Sequence, residues 1–356
     1  MTQPLKLVIA GHVDHGKSTL VGRLLHDTHA LPDGKFEAME ASCKKRGMAF
    51  EWSFLMDALQ TERDQNITID TTQIVLRLPM RDVVIIDAPG HKEFLKNMIT
   101  GAAAADAALI LIDAEEGVRE QSKRHGMLLH LMGIRQCAVV INKMDRVAYD
   151  QKCFDAVAAE YSAYLATLGI APLCVIPISA RDGDNVASAS SRMSWYKGPS
   201  VLSALEQFSI PAHGADLPLR IPVQDVYKFD HKRIVVGHIE SGALAVGDTV
   251  LFSPANTTAK IATIESWPDT GITAAHAGQA VGITLAEPIF VERGQMASHL
   301  EQAPPLTNRF RARIFWVGKT PLVCGKRYTL KIHTAEVSAE VSHIEHVVDA
   351  QSLAQN

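Results

Sequence analysis

The chain has 356 residues, 47% hydrophobic and 21% charged, with 35 lysines and arginines against 39 acids and a formal net charge of −4. That length allows two or three domains, and the balance excludes a disordered chain and a globally basic surface coating DNA or RNA. The five cysteines form no C-x-x-C pair, no signal peptide precedes the first strand, and the longest apolar runs, such as "AALILIDA", are too short for a bilayer. A cytoplasmic protein with reduced thiols, in contact with neither membrane nor DNA, is expected.

In chain order, the first predicted strand, "LKLVIA", runs into "GHVDHGKSTL", Gly11 to Leu20, and then into a helix-like stretch. The spacing G-x-x-x-x-G-K-S is that of a phosphate-binding loop. Gly11 and Gly16 let the backbone turn sharply and approach a ligand closely. Successive N–H groups and the helix N-terminus then face phosphate oxygens. Lys17 supplies charge for the outer phosphates, and Ser18 offers a hydroxyl to Mg2+. Val13, Asp14, His15 and Thr19 complete the candidate phosphate-binding set; His15 makes no chemical demand and reads as structural.

Further predicted strands follow: "TTQIVLRLP", "RDVVIIDAP", "AALILIDA", "QCAVVINKM" and "PLCVIPISA". Helix-like stretches such as "HKEFLKNMITGA", "REQSKRHGMLLHLMG", "QKCFDAVAAEYSAYLATLG" and "PSVLSALEQF" alternate with them. Near-continuous apolar strands alternating with helices predict an α/β fold with a doubly wound, mostly parallel sheet. The strands flanking "LPMRD" are close enough to form one antiparallel edge.

Two of these strands end in informative tetrapeptides. In "DAPG", Asp87 can reach Mg2+ and Gly90 can turn its N–H toward a γ-phosphate. In "NKMD", the Asp145 carboxylate can accept two hydrogen bonds from N1 and N2 of guanine, donors that adenine lacks. Asn142 can bond the other edge of the base, and the Lys143 stem can lie along its face. "SAR", Ser179, Ala180 and Arg181, follows another strand and can present a backbone N–H to the guanine oxygen. The ligand these elements imply, in this order, is GTP or GDP with Mg2+.

Pro211, Gly214 and Pro218 mark a linker that closes a GTP-binding domain over residues 1–212. Short alternating runs between glycine turns then predict an antiparallel β-barrel over 217–301. After "EQAPPLT", the stretches "RFRARIFWV", "RYTLKIHT" and "EVSAEVSHIEHVV" read as three strands. About fifty residues is a small allowance for another closed barrel, so 304–356 is expected to be a partial third domain.

These motifs resemble the GTPases of the translation-factor superfamily. "ERDQNITID" resembles that group's first switch, which implies that Thr68 coordinates magnesium in the GTP state; Asn66 stands where the usual residue is glycine. "DAPGHKEFLKNMITGAAAAD" resembles the second switch, implying that His91 positions the attacking water, with Val13 and Ile67 as an apolar gate beside it. Bound GTP would hold Thr68 and Gly90, and hydrolysis would release their loops. "GDNVASASSRMSW" and the closing segment resemble the GTPase subunit of bacterial sulfate adenylyltransferase. That resemblance implies a separate catalytic small subunit as partner and adenylyl sulfate synthesis as the driven step; this is the preferred expectation. "DAPGHKEFLKNMITG" and "LPLRIPVQDVYKFD" are closer to elongation factor 1-alpha, which implies the alternative, delivery of aminoacyl-tRNA to the ribosome.

Overall fold

The computed structural model describes residues 4–31, 34–55, 73–87, 105–209, 214, 216–229, 232–265, 271–318 and 320–347; for Lys35, Gln73 and Asp87 it describes the backbone alone. The chain divides into two units, one formed by 1–210 with 348–356 and the other by 211–347.

The first unit is built on six strands: β1 (Leu5–Gly11), β2 (Gln73–Arg77), β3 (Asp82–Asp87), β4 (Ala107–Asp113), β5 (Cys137–Asn142) and β6 (Val175–Pro177). Their order is β2-β3-β1-β4-β5-β6. Every pair is parallel except β2 with β3, where Val75 faces Val84 across an antiparallel ladder. Strands β4 and β5 are buried along their whole length, which is why they read as unbroken apolar runs.

Helices α1 (Lys17–Asp27), α2 (Lys35–Lys45), α3 (Glu120–Leu131) and α4 (Gln151–Thr167) lie between these strands in the chain, and α5 (Val201–Gln207) follows the last of them. Leu20, Leu24 and Leu25 of α1 and Val201, Ala204 and Leu205 of α5 join Leu5, Leu7, Ile9, Leu109 and Val140 in one core. The alternate strand residues, among them Val8, Ile110 and Ile141, are equally buried. Helices α3 and α4 pack against each other and against β4, β1 and β5, and the Tyr161 hydroxyl donates to the Ser122 carbonyl at 2.8 Å.

The fold class matches the α/β, doubly wound expectation, including its antiparallel edge. Helix α2 was not expected. It begins after Gly34, whose backbone is left-handed at φ 74°. The expected helix "HKEFLKNMITGA" lies outside the described residues.

In the second unit, β7 (Ile221–Phe229), β8 (Lys232–His238), β10 (Thr249–Ser253), β11 (Thr257–Glu265), β13 (Ala280–Leu285) and β14 (Met296–His299) close a barrel in the order β10-β11-β13-β8-β7-β14. Val223, Val235, Phe252, Ile261 and Ile283 fill it. Strands β9 (Ala243–Ala245) and β12 (Ala274–His276) pair separately. Beyond the barrel, β15 (Arg327–Ile332) and β16 (Ala335–Glu340) form a hairpin. The expected strand "RFRARIFWV" is not in a ladder. Its apolar residues Phe310, Ile314 and Trp316 are exposed, and its alternation has no paired strand among the described residues to fold against.

Candidate nucleotide-binding site

Strand β1 has β3 on one side and β4 on the other. In an open α/β sheet this reversal of strand order leaves a crevice at the carboxyl ends of the strands. Gly11 ends β1 in that crevice, and the loop from His12 to Gly16 leads into α1. A Cβ on Gly11 would lie 3.0 Å from the Leu111 carbonyl oxygen. Gly16 has φ 88°, and a Cβ there would lie 2.4 Å from Asn142 Nδ2. Asp14 also has positive φ, 66°. The loop's curvature thus depends on glycine at Gly16, where strain and space both exclude a side chain.

No side chain caps the N-terminus of α1, and Ser18 is exposed in its first turn. Lys17 folds back over the loop, donating to the Gly11 carbonyl at 2.7 Å and the His12 carbonyl at 2.9 Å. The uncapped helix end, the glycine cradle and the open Ser18 hydroxyl fit a magnesium-bound polyphosphate.

Beneath the loop lies a bed of imidazoles. His15 is fully buried, and its Nδ1 donates to the Leu111 carbonyl at 3.1 Å. Burial lowers its pKa. The His12 and His15 rings meet edge to face at 5.4 Å. His125 of α3 is buried with no partner for its Nδ1 among the described residues, and burial, reinforced by Lys17 nearby, lowers its pKa to about 3. The two buried rings, His15 and His125, are neutral at pH 7.

The candidate base-binding end is assembled from the loops after β5 and β6. Asn142 ends β5 and is nearly fully buried. Its Nδ2 donates to the His15 carbonyl at 2.8 Å, and its Oδ1 accepts the Ala180 N–H at 3.0 Å. Asn142 therefore ties the phosphate loop to the "SAR" loop. Lys143 takes φ 64°, and its Nζ lies 2.7 Å from Asp113 Oδ2. Burial alone would raise the Asp113 pKa, but its bonds with Lys143 and the Glu115 N–H outweigh that and hold it below the usual carboxylate range. Asp145 accepts from Ser179 Oγ at 2.8 Å and pairs with Arg181 Nη2 at 3.3 Å.

The structure thus brings Gly11, Gly16, Lys17, Asn142, Asp145, Ser179, Ala180 and Arg181 into one connected arrangement. Ser18 and Thr19 open the helix beside it, while Val13 and Asp14 lie in the loop itself. The backbone of Asp87 pairs with Ile9 at the end of β3, which places it beside the phosphate loop. Thr68, Gly90 and His91 lie outside the described residues.

Several contributors escaped the motif reading. Asp113 ends an apolar strand just as Asp87 does, and that position was the available signal. Arg192 bonds the Tyr149 hydroxyl, Asp182 at 2.8 Å and Asp184 at 3.2 Å, bracing the base loop; Asp184 and Arg192 lie in the quoted stretch "GDNVASASSRMSW", which was given no role in this loop.

Comparison with known families agrees with this geometry. The model for the elongation factor Tu GTP-binding domain matches residues 3–211, and that for the GTP-eEF1A C-terminal domain matches 309–356. Elongation factor 1-alpha of Pyrococcus horikoshii is 40% identical over 364 residues, covering 98% of this chain and 84% of the relative. That of Thermococcus gammatolerans matches with the same identity and coverage. Among solved structures, Sup35 complexed with GMPPNP aligns at 25% identity with a TM-score of 0.44, covering 100% of this chain and 81% of that one. The elongation-factor relatives move the reading away from the sulfate-activating partner and toward the translation alternative. No helix among the described residues is long and apolar enough to cross a membrane.

Proposed function

The chain belongs to the elongation factor Tu family of GTPases, which bind GTP and GDP with Mg2+, and on that premise we propose that it carries aminoacyl-tRNA to the ribosome in the cytoplasm. The observation that carries this reading is 40% identity to an elongation factor 1-alpha along 98% of the chain.

In this reading residues 1–212 bind nucleotide. Gly11, Val13, Asp14, His15, Gly16, Lys17, Thr19 and Gly90 hold the phosphates. Asp145 reads guanine, supported by Asn142, Lys143, Ser179, Ala180 and Arg181. Ser18, Asp87 and, with GTP, Thr68 would hold Mg2+, which would supply positive charge against the phosphates. Lys17 exchanges its carbonyl partners for phosphate oxygens. His91 orients a water in line with the γ-phosphate, and loss of that phosphate frees Thr68 and Gly90. The barrel over 217–301 and the segment 304–356 supply the carrier surface.

A second reading, in which the protein drives adenylyl sulfate synthesis with a separate small catalytic subunit, draws on the stretch "GDNVASASSRMSW". One purified sample decides between the two. The first reading expects GTP-dependent protection of aminoacyl-tRNA against hydrolysis, with turnover indifferent to sulfate. GTP turnover that rises only with the small subunit, ATP and sulfate would replace it. Within either reading, His91→Ala should keep GTP affinity and slow single-turnover hydrolysis at least about tenfold; an unchanged rate would remove His91 from the chemistry.

A further inference from the structure

The loop carrying Ser179, Ala180 and Arg181 is held from a side that the nucleotide motifs do not reach. Trp52 Nε1 donates to the Arg181 carbonyl at 3.0 Å, across a sequence separation of 129 residues. The indole itself is wedged in a cluster. Phe36 of α2 stacks near it with centroids 5.7 Å apart, Phe50 meets it edge-on at 5.1 Å, and His26 of α1 lies at 4.9 Å. The Arg23 guanidinium sits over its face, 5.0 Å from the centroid.

The backbone of the same residue is docked as tightly. A Cβ on Gly22 of α1 would fall 2.2 Å from the Trp52 carbonyl oxygen, so that glycine is what lets the segment approach the helix. Arg23 also underlies the base loop directly. Gly183, at φ 87°, leaves room for it, and a Cβ there would fall 2.3 Å from Arg23 Nη2. Helix α1, which begins at the phosphate loop, therefore carries on its next turns the anchor for the loop at the other end of the site.

We infer that Trp52 is a positioning residue for guanine recognition: its indole N–H fixes the Arg181 carbonyl, and thereby the Ser179–Arg181 segment that orients the Asp145 carboxylate. The link is short. Ser179 Oγ donates to Asp145 Oδ1 and Arg181 pairs with Oδ2, so both carboxylate oxygens take their direction from the segment that Trp52 holds. A one-ångström drift of that segment misaims a bidentate acceptor, and the acceptor's directionality is what separates guanine from a base without the 2-amino group. The inference rests on reading Asp145 as the guanine acceptor.

The test uses the full chain and compares Kd for GDP and for inosine diphosphate, which lacks the 2-amino group. Trp52→Phe keeps an aromatic ring in the cluster while removing the N–H donor and the second ring of the indole. It is expected to weaken GDP binding about fivefold, as for one lost hydrogen bond, while inosine diphosphate changes less, so that the ratio of the two constants shrinks. Arg23→Leu, which leaves the indole in place and removes the cation above it, should shift the ratio the same way by a smaller factor, and it serves if the tryptophan variant does not fold. Equal weakening of both nucleotides alongside a lower melting temperature would mark Trp52 as merely structural and overturn the inference. So would constants unchanged from wild type. A wild-type chain that binds both diphosphates alike would instead remove the guanine reading of Asp145, and this inference with it.

Discussion

The two ends of the nucleotide site are built on different principles. At the proposed base end, the groups read as recognising guanine are already held by protein partners: Asn142 by His15 and Ala180, Asp145 by Ser179 and Arg181, Lys143 by Asp113. At the phosphate end, Lys17 bonds two carbonyls of its own loop, and the helix N-terminus has no side-chain cap. A ligand entering the first end meets a preset geometry and shares its bonds. In the proposed reading, a ligand entering the second would make Lys17 exchange partners. Selectivity belongs to the end whose geometry is preset, because a fixed acceptor penalises the wrong base. Response to the number of phosphates belongs to the end that rearranges.

The strongest blow to this contrast is Asp145→Asn. The amide inverts one acceptor into a donor, so GTP affinity should fall by about a thousandfold while xanthosine triphosphate gains. Titration of both nucleotides is the check, and a variant that still prefers GTP would mean that the preset end does not select the base. Gly16→Ala probes the seam between the ends. Its methyl would strike Asn142 Nδ2 in a left-handed backbone, so strain of roughly 1–3 kcal/mol falls on the bond joining the two loops. Nucleotide affinity should drop by about 5- to 150-fold from that strain, for GDP and GTP alike. A loss confined to GTP would show that the two ends are not coupled through Asn142.

What the sequence made legible follows the same division. The phosphate loop, "NKMD" and "SAR" could be read because glycine spacing, apolar strands and turn residues are local signals. The β1–β6 sheet followed from its unbroken apolar runs. Helix α2 was passed over although Phe36, Met39 and Cys43 stand at helical spacing, because that stripe is narrow and only Cys43 of it is buried. The Asp113–Lys143 pair, the Arg192 brace and the Trp52 anchor were illegible for a different reason. Each joins residues 8 to 129 positions apart, and no spacing rule reports a contact that only the packed sheet creates. The unpaired stretch 309–317 is the converse case: it alternates like a strand, but alternation does not supply a partner.

Acid offers the mildest way to separate the two ends, because their charged and neutral groups titrate in different ranges. His125 stays neutral in the fold, with a pKa of about 3 set first by burial and then by Lys17, His15, His12 and Arg124 around it. The unfolded chain carries the same imidazole at about 6.5. Its contribution to stability is thus fully present above pH 6.5 and is lost as pH falls through the window down to about 3, because only the unfolded state takes up the proton. Buried His15, also lowered, adds in the same direction. Asp113 and Asp182, which brace the base end, are held below the usual carboxylate range, so both stay charged at pH 5.5. Lowering the pH from 6.5 to 5.5 should therefore cost at most about 1.4 kcal/mol for each such histidine, all of it charged to the phosphate end. Urea unfolding at the two pH values measures the loss in wild type, and His125→Gln, which cannot take the proton, should show a shallower dependence. If the variant loses as much stability as wild type over that unit, the buried imidazole under the phosphate loop is not what acid titrates, and the difference between the two ends does not extend to pH.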